Sequence, residues 1–272
     1  MSILPKLIAT DLDGTLLGVD SAVSARTRVA LDAARARGIH VVPVTARQPI
    51  GIRAVADGAG FEDWALCGNG AFGVHLTTGQ LLFQRAVEVD VQRTLVAALT
   101  PRIPGLLYAS VRDAGEVFVA QEGYAALASM TDHKRDPRTM RGVPLAEVLD
   151  LPSLKLVIRH PELTPAQVYA VIAGLGLEGF EATTSGAPFV EVMAAGVTKA
   201  WGLEQLCAHL GIAASEVIAF GDAPNDVEML QWAGRGVAMA NAEQIVKDAA
   251  DEIAPASNLD DGVAQVLERM FA

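Results

Sequence analysis

Short apolar runs alternate with stretches of helical spacing at both ends of the chain. Near the N-terminus the pattern predicts strands at 7–10, 41–45 and 64–67, with helices at 24–37 and 49–57. Ser24 and Gly38 bracket the first helix as its N-cap and its C-terminal stop. Near the C-terminus the same alternation predicts helices at 199–210, 226–232 and 242–250, and strands at 217–220 and 236–239. Strands that alternate with helices predict an α/β fold, a doubly wound and mostly parallel sheet of the Rossmann-like kind that binds ligands beyond the carboxyl ends of its strands.

The middle of the chain has a different pattern. Prolines interrupt it repeatedly, and its strand-like segments are 115–119, 154–158 and 189–192, with helical spacing at 91–99 and 164–175. This pattern indicates an inserted α+β domain. We therefore predict a core domain made of residues 1–84 and 188–272, and an inserted domain made of residues 85–187.

Length and composition are consistent with two folded domains. The chain has 272 residues, of which 51% are hydrophobic and 19% are charged, and a single domain usually has about 100–200 residues. Its apolar runs are shorter than the roughly 18 residues that a membrane span needs. The N-terminal segment 1–6 lacks the basic start and long apolar stretch of an export signal. These features predict a cytoplasmic protein, with Cys67 and Cys207 as buried thiols rather than a disulfide or zinc site.

The net charge restricts the partners that the protein can bind. At pH 7 the formal net charge is -11, whereas nucleic acids and anionic membranes attract a basic surface. We therefore expect neither of them as a partner. If the substrate is an anion, local cations or a metal ion must reverse the field at the site.

Two aspartates follow the first predicted strand in the sequence Asp11-Leu12-Asp13-Gly14-Thr15. Like charges this close stay ionised in a partly buried site only when a cation lies near them. A carboxylate can attack phosphorus, and a second carboxylate can pass a proton to the leaving oxygen. The alternative is a polar turn at the end of a strand.

Three further polar stretches follow other predicted core strands. Thr45-Ala46-Arg47 offers a hydroxyl and amides for an anion, or else an N-cap threonine beside a solvated arginine. Lys199 opens a helix, where an ammonium could offset phosphate charge, or else it is a surface lysine. Asp222 and Asn225 offer the oxygen ligands that Mg²⁺ prefers, or else they cap a helix. Because the strands are parallel, these stretches are predicted to meet at one edge of the sheet.

These stretches together resemble the haloacid dehalogenase-like hydrolase superfamily, and specifically its Cof-like branch of phosphatases with a large α+β cap. The four motifs of that family are similar to DLDGTLL at 11–17, VTAR at 44–47, GVTK at 196–199 and GDAPND at 221–226. Two further stretches of the branch are similar to CGNGA at 67–71 and SNLDDGVAQVL at 257–267. The resemblance covers the predicted core from end to end, and it implies that the inserted domain is a cap.

The resemblance implies roles for the residues at matching positions. Asp11 corresponds to the nucleophile that is transiently phosphorylated, and Asp13 corresponds to a general acid that carries a proton to the leaving oxygen and then activates water. The implied ligands of Mg²⁺ are Asp11, the backbone carbonyl of Asp13, and Asp222. Lys199 is expected to hold both Asp11 and the phosphate.

The remaining site residues are also implied by position. The phosphate is expected to contact Thr45, the amides near Leu12 and Ala46, and Asn225. Supporting positions are Asp226, Arg47 and Asn69. The implied partner is a small phosphorylated metabolite, and the protein is expected to be a monomer or a small homo-oligomer.

Two residues depart from the pattern of the branch. The second motif usually has glycine where this chain has Ala46, whose extra methyl group could restrict the turn. Pro43 lies in a predicted core strand although it cannot donate to a β-ladder, so this strand is expected to pair on one side only or to bend there. Both departures affect the fit of the substrate rather than the reaction.

Other functions stay open at the level of the sequence. A phosphomutase on a sugar phosphate would share the nucleophile and the metal, and a non-catalytic ligand-binding protein would share the scaffold. Asp13 and the acids of the fourth motif count against a carbon-halogen hydrolase, which would need neither the second acid nor the metal. In the cap, the basic cluster 133–138 either contacts a second anionic group of the substrate or is a solvated loop.

Overall fold

The structure is a computed structural model that describes residues 4–272 and contains three β-sheets with helices packed against them. The strands are β1 (Leu7–Thr10), β2 (His40–Pro43), β3 (Trp64–Cys67), β4 (Phe72–His75), β5 (Leu81–Gln84), β6 (Leu107–Arg112), β7 (Val117–Gln121), β8 (Gly142–Val143), β9 (Lys155–Arg159), β10 (Phe180–Thr183), β11 (Val190–Ala194), β12 (Val217–Gly221), β13 (Arg235–Ala238) and β14 (Glu252–Ile253). The α-helices are α1 (Ala25–Arg35), α2 (Pro49–Ala59), α3 (Val89–Leu99), α4 (Met130–His133), α5 (Leu145–Val148), α6 (Pro165–Ala173), α7 (Lys199–Leu210), α8 (Val227–Trp232), α9 (Gln244–Ala249) and α10 (Gly262–Phe271).

The core sheet is parallel throughout and has the strand order β14-β13-β12-β1-β2. Successive residues of the central strand β1 contribute to two different hydrophobic clusters, because side chains alternate between the two faces of a strand. Ile8 belongs to one cluster, and Leu7 and Ala9 belong to the other. The sheet is therefore covered on both faces, which confirms the predicted α/β fold class.

The register of the core sheet determines which loops meet. Thr10, the last residue of β1, lies opposite Phe220 in β12 and Pro43 in β2. The residues that follow these strands therefore emerge side by side at the carboxyl edge. β2 pairs with β1 alone within the five-stranded sheet, so Pro43 lies on an edge strand, as the sequence predicted.

A second sheet of six strands has the order β10-β11-β9-β6-β7-β8, and its strand pairs are antiparallel except for β7 with β8. This sheet, together with α3 and α6, matches the predicted α+β character of the middle segment. A division at residues 187/188 would separate β11 from β9 and β10, its partners in this sheet. The division into core and cap remains a prediction, and a return to the core after Ala194 would keep the sheet whole.

One predicted core strand lies elsewhere. β3 pairs in antiparallel fashion with β4, and together with β5 they form a separate three-stranded sheet. It is joined to the segment that follows β2 by the parallel bridge between Val44 and Leu66 and by a hydrogen bond from the Thr45 amide to the Leu66 carbonyl at 2.9 Å. The sequence predicted this strand because it is fully apolar, but an apolar run does not specify its partner.

Most other elements lie close to their predicted positions. α7 has the predicted bounds, whereas β7 begins at Val117 because residues 113–115 form a turn with positive φ. The elements that were not predicted from sequence are strands β4, β5, β6, β8, β10 and β14 and helices α4, α5 and α10. Among residues 4–272 no helix combines the length and the apolarity that crossing a bilayer requires. Residues 1–3 of the segment that was assessed as an export signal lie outside the described residues.

Candidate active site

A buried lysine joins two of the predicted motifs. Lys199 is the first residue of α7, whose N-cap Thr198 accepts a hydrogen bond from the Trp201 amide. Its ammonium Nζ lies 2.7 Å from Asp11 Oδ1 and 2.6 Å from Asp226 Oδ1. Because the Lys199 side chain has no exposed surface, this ammonium fixes the orientation of the Asp11 carboxylate.

Asp226 connects the lysine to the backbone of the fourth motif. Its Oδ1 accepts from Lys199, and its Oδ2 accepts hydrogen bonds from the amides of Asp222 at 2.9 Å and Ala223 at 3.0 Å. Both oxygens of Asp226 are thereby used within the protein. This residue organises the loop of the fourth motif, and its supporting role stays a prediction.

The first motif lies directly against Asp222. Thr15 Oγ1 donates a hydrogen bond to Asp222 Oδ1 at 2.6 Å. Gly14 has a φ of +84°, and a Cβ atom built on it would lie 2.2 Å from Asp222 Oδ2. The positive φ favours glycine at this position, and a side chain here would displace the Asp222 carboxylate.

Three carboxylates can share a cation at this edge. Ligand atoms of Asp11, Asp222 and Asp226 all lie within 4.8 Å of one another. Since both oxygens of Asp226 are already used, Asp11 and Asp222 are the better ligands. A set of oxygen donors suits a hard cation such as Mg²⁺.

The charges at this edge are incompletely balanced by the protein. Burial is the main reason why the pKa of Asp11 lies well above 3.8; the Lys199 charge opposes this shift, and the Asp226 and Asp222 charges add to it. Burial likewise raises the pKa of Asp222 to about 6, despite the hydrogen bond from Thr15. Burial opposes the charge on Lys199, but Asp11 and Asp226 outweigh it and raise the pKa of Lys199 above its ordinary value. A divalent cation between Asp11 and Asp222 would relieve the excess negative charge, so these residues fit a metal ion.

Asp13 forms a two-point ion pair with the second motif. Its Oδ2 lies 2.6 Å from Arg47 Nε, and its Oδ1 lies 2.5 Å from Arg47 Nη2. Burial would raise the pKa of Asp13, but the hydrogen bonds and charge of Arg47, with help from Lys134, hold this pKa below its ordinary value. The sequence predicted that Asp13 carries a proton, whereas in this arrangement the paired carboxylate is ionised.

The second motif forms a loop rather than a helix start. α2 begins at Pro49 with Gln48 as its N-cap, so the alternative of Thr45 as an N-cap is wrong. Thr45 Oγ1 instead accepts from the Arg47 amide at 3.1 Å within the loop. The alternative of a solvated Arg47 is also wrong, because its side chain is buried against Asp13. Ala46 does not have a positive φ, so its methyl group imposes no strain of the kind that glycine would relieve.

The predicted residues occupy three kinds of position around a cavity of about 600 Å³. Those that line the cavity are Asp11, Asp13, Thr45, Ala46, Arg47, Asp222 and Asn225. Lys199 and Asp226 are buried and adjoin Asp11, and Asn69 is buried beside Asn225, whose Nδ2 donates to Asn69 Oδ1 at 2.9 Å. Leu12 is buried in the hydrophobic core, and its carbonyl accepts from the amides of residues 15–17.

Sequence reasoning missed several residues of the cavity wall. Lys155 and Glu191 come from β9 and β11 of the six-stranded sheet, and Asn241 donates to the Gly14 carbonyl at 2.8 Å. No motif marks Lys155 or Glu191, because each is an isolated charged residue beside the apolar positions of its strand. The signal that could have revealed them is the charge itself, because a charged side chain inside a buried strand needs a partner.

The basic cluster 133–138 divides into residues at the cavity and residues in solvent. Lys134 has a left-handed φ of 52°, and its Nζ lies 3.7 Å from Asp13 Oδ1. His133, the first residue of the cluster, also lines the cavity and stacks on the Phe189 ring. Arg138 is exposed and pairs with Asp136. One lysine of the cluster therefore contacts the catalytic edge.

Comparisons with known proteins identify the family of this chain. Residues 8–267 match the family described as haloacid dehalogenase-like hydrolase. A phosphoglycolate phosphatase of Methanopyrus kandleri is 29% identical over 270 residues, which cover 98% of this chain and 98% of that protein. The 5-amino-6-(5-phospho-D-ribitylamino)uracil phosphatase YcsE of Bacillus subtilis is 27% identical over 269 residues, which cover 96% of this chain and 94% of that protein.

Solved structures share the whole architecture. BT1666 of Bacteroides thetaiotaomicron, described among phosphatases of the haloalkanoate (HAD) enzyme superfamily, superposes with a TM-score of 0.83 at 25% identity. The superposition covers 99% of this chain and 96% of that one. These matches confirm the resemblance that the motifs carried, and the phosphatase names confirm the predicted enzyme class, a phosphoric monoester hydrolase.

Proposed function

We propose that this chain, which belongs to the haloacid dehalogenase-like hydrolase family, is a Mg²⁺-dependent phosphatase that hydrolyses a small phosphorylated metabolite through an aspartyl-phosphate on Asp11. The observation that carries the proposal is the bridge from Asp11 through the buried Lys199 to Asp226, at 2.7 and 2.6 Å. This bridge holds one Asp11 oxygen and leaves the carboxylate oriented beside Asp222 at the cavity. A fixed carboxylate next to an ammonium is suited to attack on phosphorus.

The reaction would proceed in two displacements at phosphorus. In the first, an Asp11 oxygen bonds to phosphorus, and the bond from phosphorus to the leaving oxygen breaks. In the second, water attacks the phosphorus of the aspartyl-phosphate, which releases inorganic phosphate and regenerates the Asp11 carboxylate. A Mg²⁺ ion held by Asp11, Asp222 and the Asp13 carbonyl would neutralise charge on the phosphoryl oxygens when bound.

Asp13 would serve both displacements. Its ionised carboxylate, as paired with Arg47, is prepared to accept a proton from the attacking water in the second displacement. In the first, the leaving oxygen needs a proton, so the Asp13 carboxyl must separate from Arg47 and be protonated. Thr45, Lys199, Asn225 and the amide of Ala46 are proposed to contact the phosphate.

The substrate is proposed to be a small phosphate monoester. The two relatives are named for phosphoglycolate and for a phosphorylated ribitylamino-uracil, which share only the phosphate monoester and a small size. The cavity of about 600 Å³ falls in the range of small-molecule sites. The cytoplasmic location and a monomeric or small homo-oligomeric state stay predictions from the sequence.

The test is release of inorganic phosphate from a panel of sugar, polyol, nucleotide and pyridoxal phosphates, measured with and without Mg²⁺. Wild-type protein is expected to release phosphate with Mg²⁺, and Asp11→Asn is expected to abolish turnover while it remains folded. Asp20→Asn, at an exposed position outside the cavity, is the matched control. Normal activity of Asp11→Asn would refute the nucleophile, and interconversion of sugar phosphates without phosphate release would favour a mutase.

A further inference from the structure

The loop of the second motif is held by hydrogen bonds to all three of its carbonyl groups. Two carbonyls of residues 45–47 accept from backbone amides of the turn at residues 68–70, between β3 and β4, at 3.0 and 3.1 Å. The third, the Ala46 carbonyl, accepts from the Lys155 ammonium, whose Nζ lies 2.7 Å from the carbonyl oxygen. Lys155 is the first residue of β9. One bond of this loop therefore comes from the six-stranded sheet.

Glu191 holds the Lys155 ammonium in place. Lys155 Nζ lies 2.5 Å from Glu191 Oε1, and both side chains are at least 95% buried. An ion pair this deep contributes little net stability, because loss of solvation offsets the attraction of the charges, and apolar residues of similar size are often as stable. Stability of the fold therefore does not explain why an ammonium lies here. The pair does supply a fixed N–H donor for the Ala46 carbonyl.

The Ala46 carbonyl belongs to the same peptide group as the Arg47 amide. The C=O and N–H bonds of a trans peptide are fixed in one plane and point in opposite directions. On the N–H side the acceptor is Thr45 Oγ1, which lies 3.1 Å from the Arg47 nitrogen. Because one rigid group carries both bonds, the ammonium that holds the carbonyl also fixes the amide that donates to the threonine.

The bond from the Arg47 amide determines what the Thr45 hydroxyl group can do. A hydroxyl oxygen that accepts a hydrogen bond still has its own hydrogen to donate. Among residues 4–272 the Arg47 amide is the one group bonded to Thr45 Oγ1, and Thr45 lines the cavity. The hydroxyl hydrogen is therefore free to bond to an oxygen of a bound phosphate group.

We propose that Lys155 is a positioning residue that acts through the peptide group after Ala46 to hold the Thr45 hydroxyl as a donor to the substrate phosphate. Lys155 contacts the loop and not the substrate. Because β9 and β11 supply the ion pair, the phosphate site is complete only while the six-stranded sheet lies against this loop. This inference rests on the proposed phosphatase function.

The main variant is Lys155→Met with Glu191→Gln, which removes the ammonium without leaving an unpaired buried charge. The reference is Glu191→Gln alone, which also lacks the ion pair but keeps the amine that donates to the Ala46 carbonyl. Relative to this reference, we expect the main variant to bind inorganic phosphate, measured as a product inhibitor, about tenfold more weakly. We also expect kcat/KM to fall about tenfold, the scale of one lost hydrogen bond from a charged group.

An exposed ion pair offers a matched control for the two substitutions. Lys6 Nζ lies 2.8 Å from Glu216 Oε1 at the amino end of the core sheet, just before β1 and β12. Lys6→Met with Glu216→Gln makes the same changes there and is expected to keep wild-type kinetics. Urea unfolding checks the fold of each variant. If the main variant does not fold, Lys155→Met with Glu191→Leu, a wholly apolar pair, takes its place.

A double-mutant cycle with Thr45→Val tests the route through the hydroxyl group. Valine keeps the shape of threonine but cannot donate a hydrogen bond. If Lys155 acts through Thr45, removal of the ammonium should change kcat/KM by less than about twofold in the Thr45→Val background. A purely structural role of Lys155 predicts the same loss in both backgrounds, because its packing does not depend on the hydroxyl group.

A comparison of substrates separates positioning from direct contact. All substrates share the phosphate, so equal fold-losses of kcat/KM for p-nitrophenyl phosphate and for the best metabolite support the inference. Unequal losses would assign Lys155 to contact with the rest of the substrate and would overturn it. Unchanged phosphate affinity of the folded main variant, or equal losses with and without the Thr45 hydroxyl, would overturn it as well. Absence of wild-type phosphate release would instead refute the proposed function.

Discussion

Replacement of Gly14 by alanine tests the geometry of the metal site, and a matched glycine replacement elsewhere controls for its effect on the stability of the fold. A Cβ atom at position 14 would lie 2.2 Å from Asp222 Oδ2 and 2.7 Å from Asp222 Cγ, whereas ordinary contacts begin at 3.4 Å. The carboxylate would therefore have to retreat by more than about 1 Å, and a displacement of this size at a catalytic group can cost about 100-fold in rate. Its contact with Thr15 Oγ1 would be disturbed as well.

Gly38→Ala is a matched control for the backbone strain. Gly38 has a φ of +76°, close to the +84° of Gly14, but its Cβ atom would meet no atom within 4 Å. In each variant the new alanine adopts a left-handed conformation, which costs about 1–2 kcal/mol for a residue with a side chain. We therefore expect the backbone to cost both variants about 1–2 kcal/mol of unfolding free energy. Displacement of Asp222 adds a further loss in Gly14→Ala, and Gly14→Ala alone is expected to lose activity.

The assay is steady-state hydrolysis of p-nitrophenyl phosphate over a range of Mg²⁺ concentrations, with urea unfolding in parallel. Gly14→Ala is expected to need more Mg²⁺ for half-maximal rate and to have a kcat/KM about 100-fold below that of Gly38→Ala. If folded Gly14→Ala matched Gly38→Ala in both quantities, the argument that Asp222 holds the metal in this position would be refuted.

Three further results are expected. Lys134→Met should raise KM for the best substrate by about three- to tenfold with a smaller change in kcat, because the ammonium near Asp13 attracts an anionic substrate before and during reaction. The control is Arg138→Met, at an exposed position. If Lys134→Met had the same KM as this control, Lys134 would belong to a solvated loop. Burial lowers the pKa of His133 to about 3. Below pH about 6.5 the unfolded chain therefore binds a proton at His133 that the folded protein excludes. The free energy of unfolding should then fall by up to about 1.4 kcal/mol per pH unit on acidification from pH 6.5 toward 3. Urea unfolding at several pH values should show a shallower acid dependence for His133→Gln than for wild type or exposed His209→Gln, and identical slopes would contradict this origin. Chelation of divalent cations with EDTA should abolish turnover and added Mg²⁺ should restore it, whereas full activity in EDTA would exclude the metal.

The local elements of this protein follow from local sequence signals. α7 has its predicted bounds because Thr198 supplies an N-cap and Gly211 supplies a left-handed C-terminal residue. The edge position of β2 was expected from Pro43, which lacks an amide hydrogen. Such signals act within a few residues, so they can be read without knowledge of the fold.

The sequence is least informative where distant segments decide how a strand pairs. β3 is as apolar as a core strand, yet it pairs with β4 in a different sheet. β11 was placed at the border of the insert because its sequence resembles any buried strand, whereas pairing with β9 and β10 assigns it to the six-stranded sheet. Burial favours an apolar strand in either position, so composition alone does not choose between them.

The sequence by itself determined which chemical groups follow the core strands β1 and β12, and the parallel alternation of strands and helices was enough to bring Asp11 and Asp222 to one edge. Lys199 was predicted to follow a core strand, but the strand before it is β11 of the six-stranded sheet, and the start of α7 brings Lys199 to Asp11. The tertiary structure alone decided that Arg47 pairs with Asp13, and that Lys155 and Glu191 approach the catalytic loops from another sheet. The physical reason is that ion pairs and hydrogen bonds between distant segments depend on atomic distances of about 3 Å, which leave no period or spacing in the sequence.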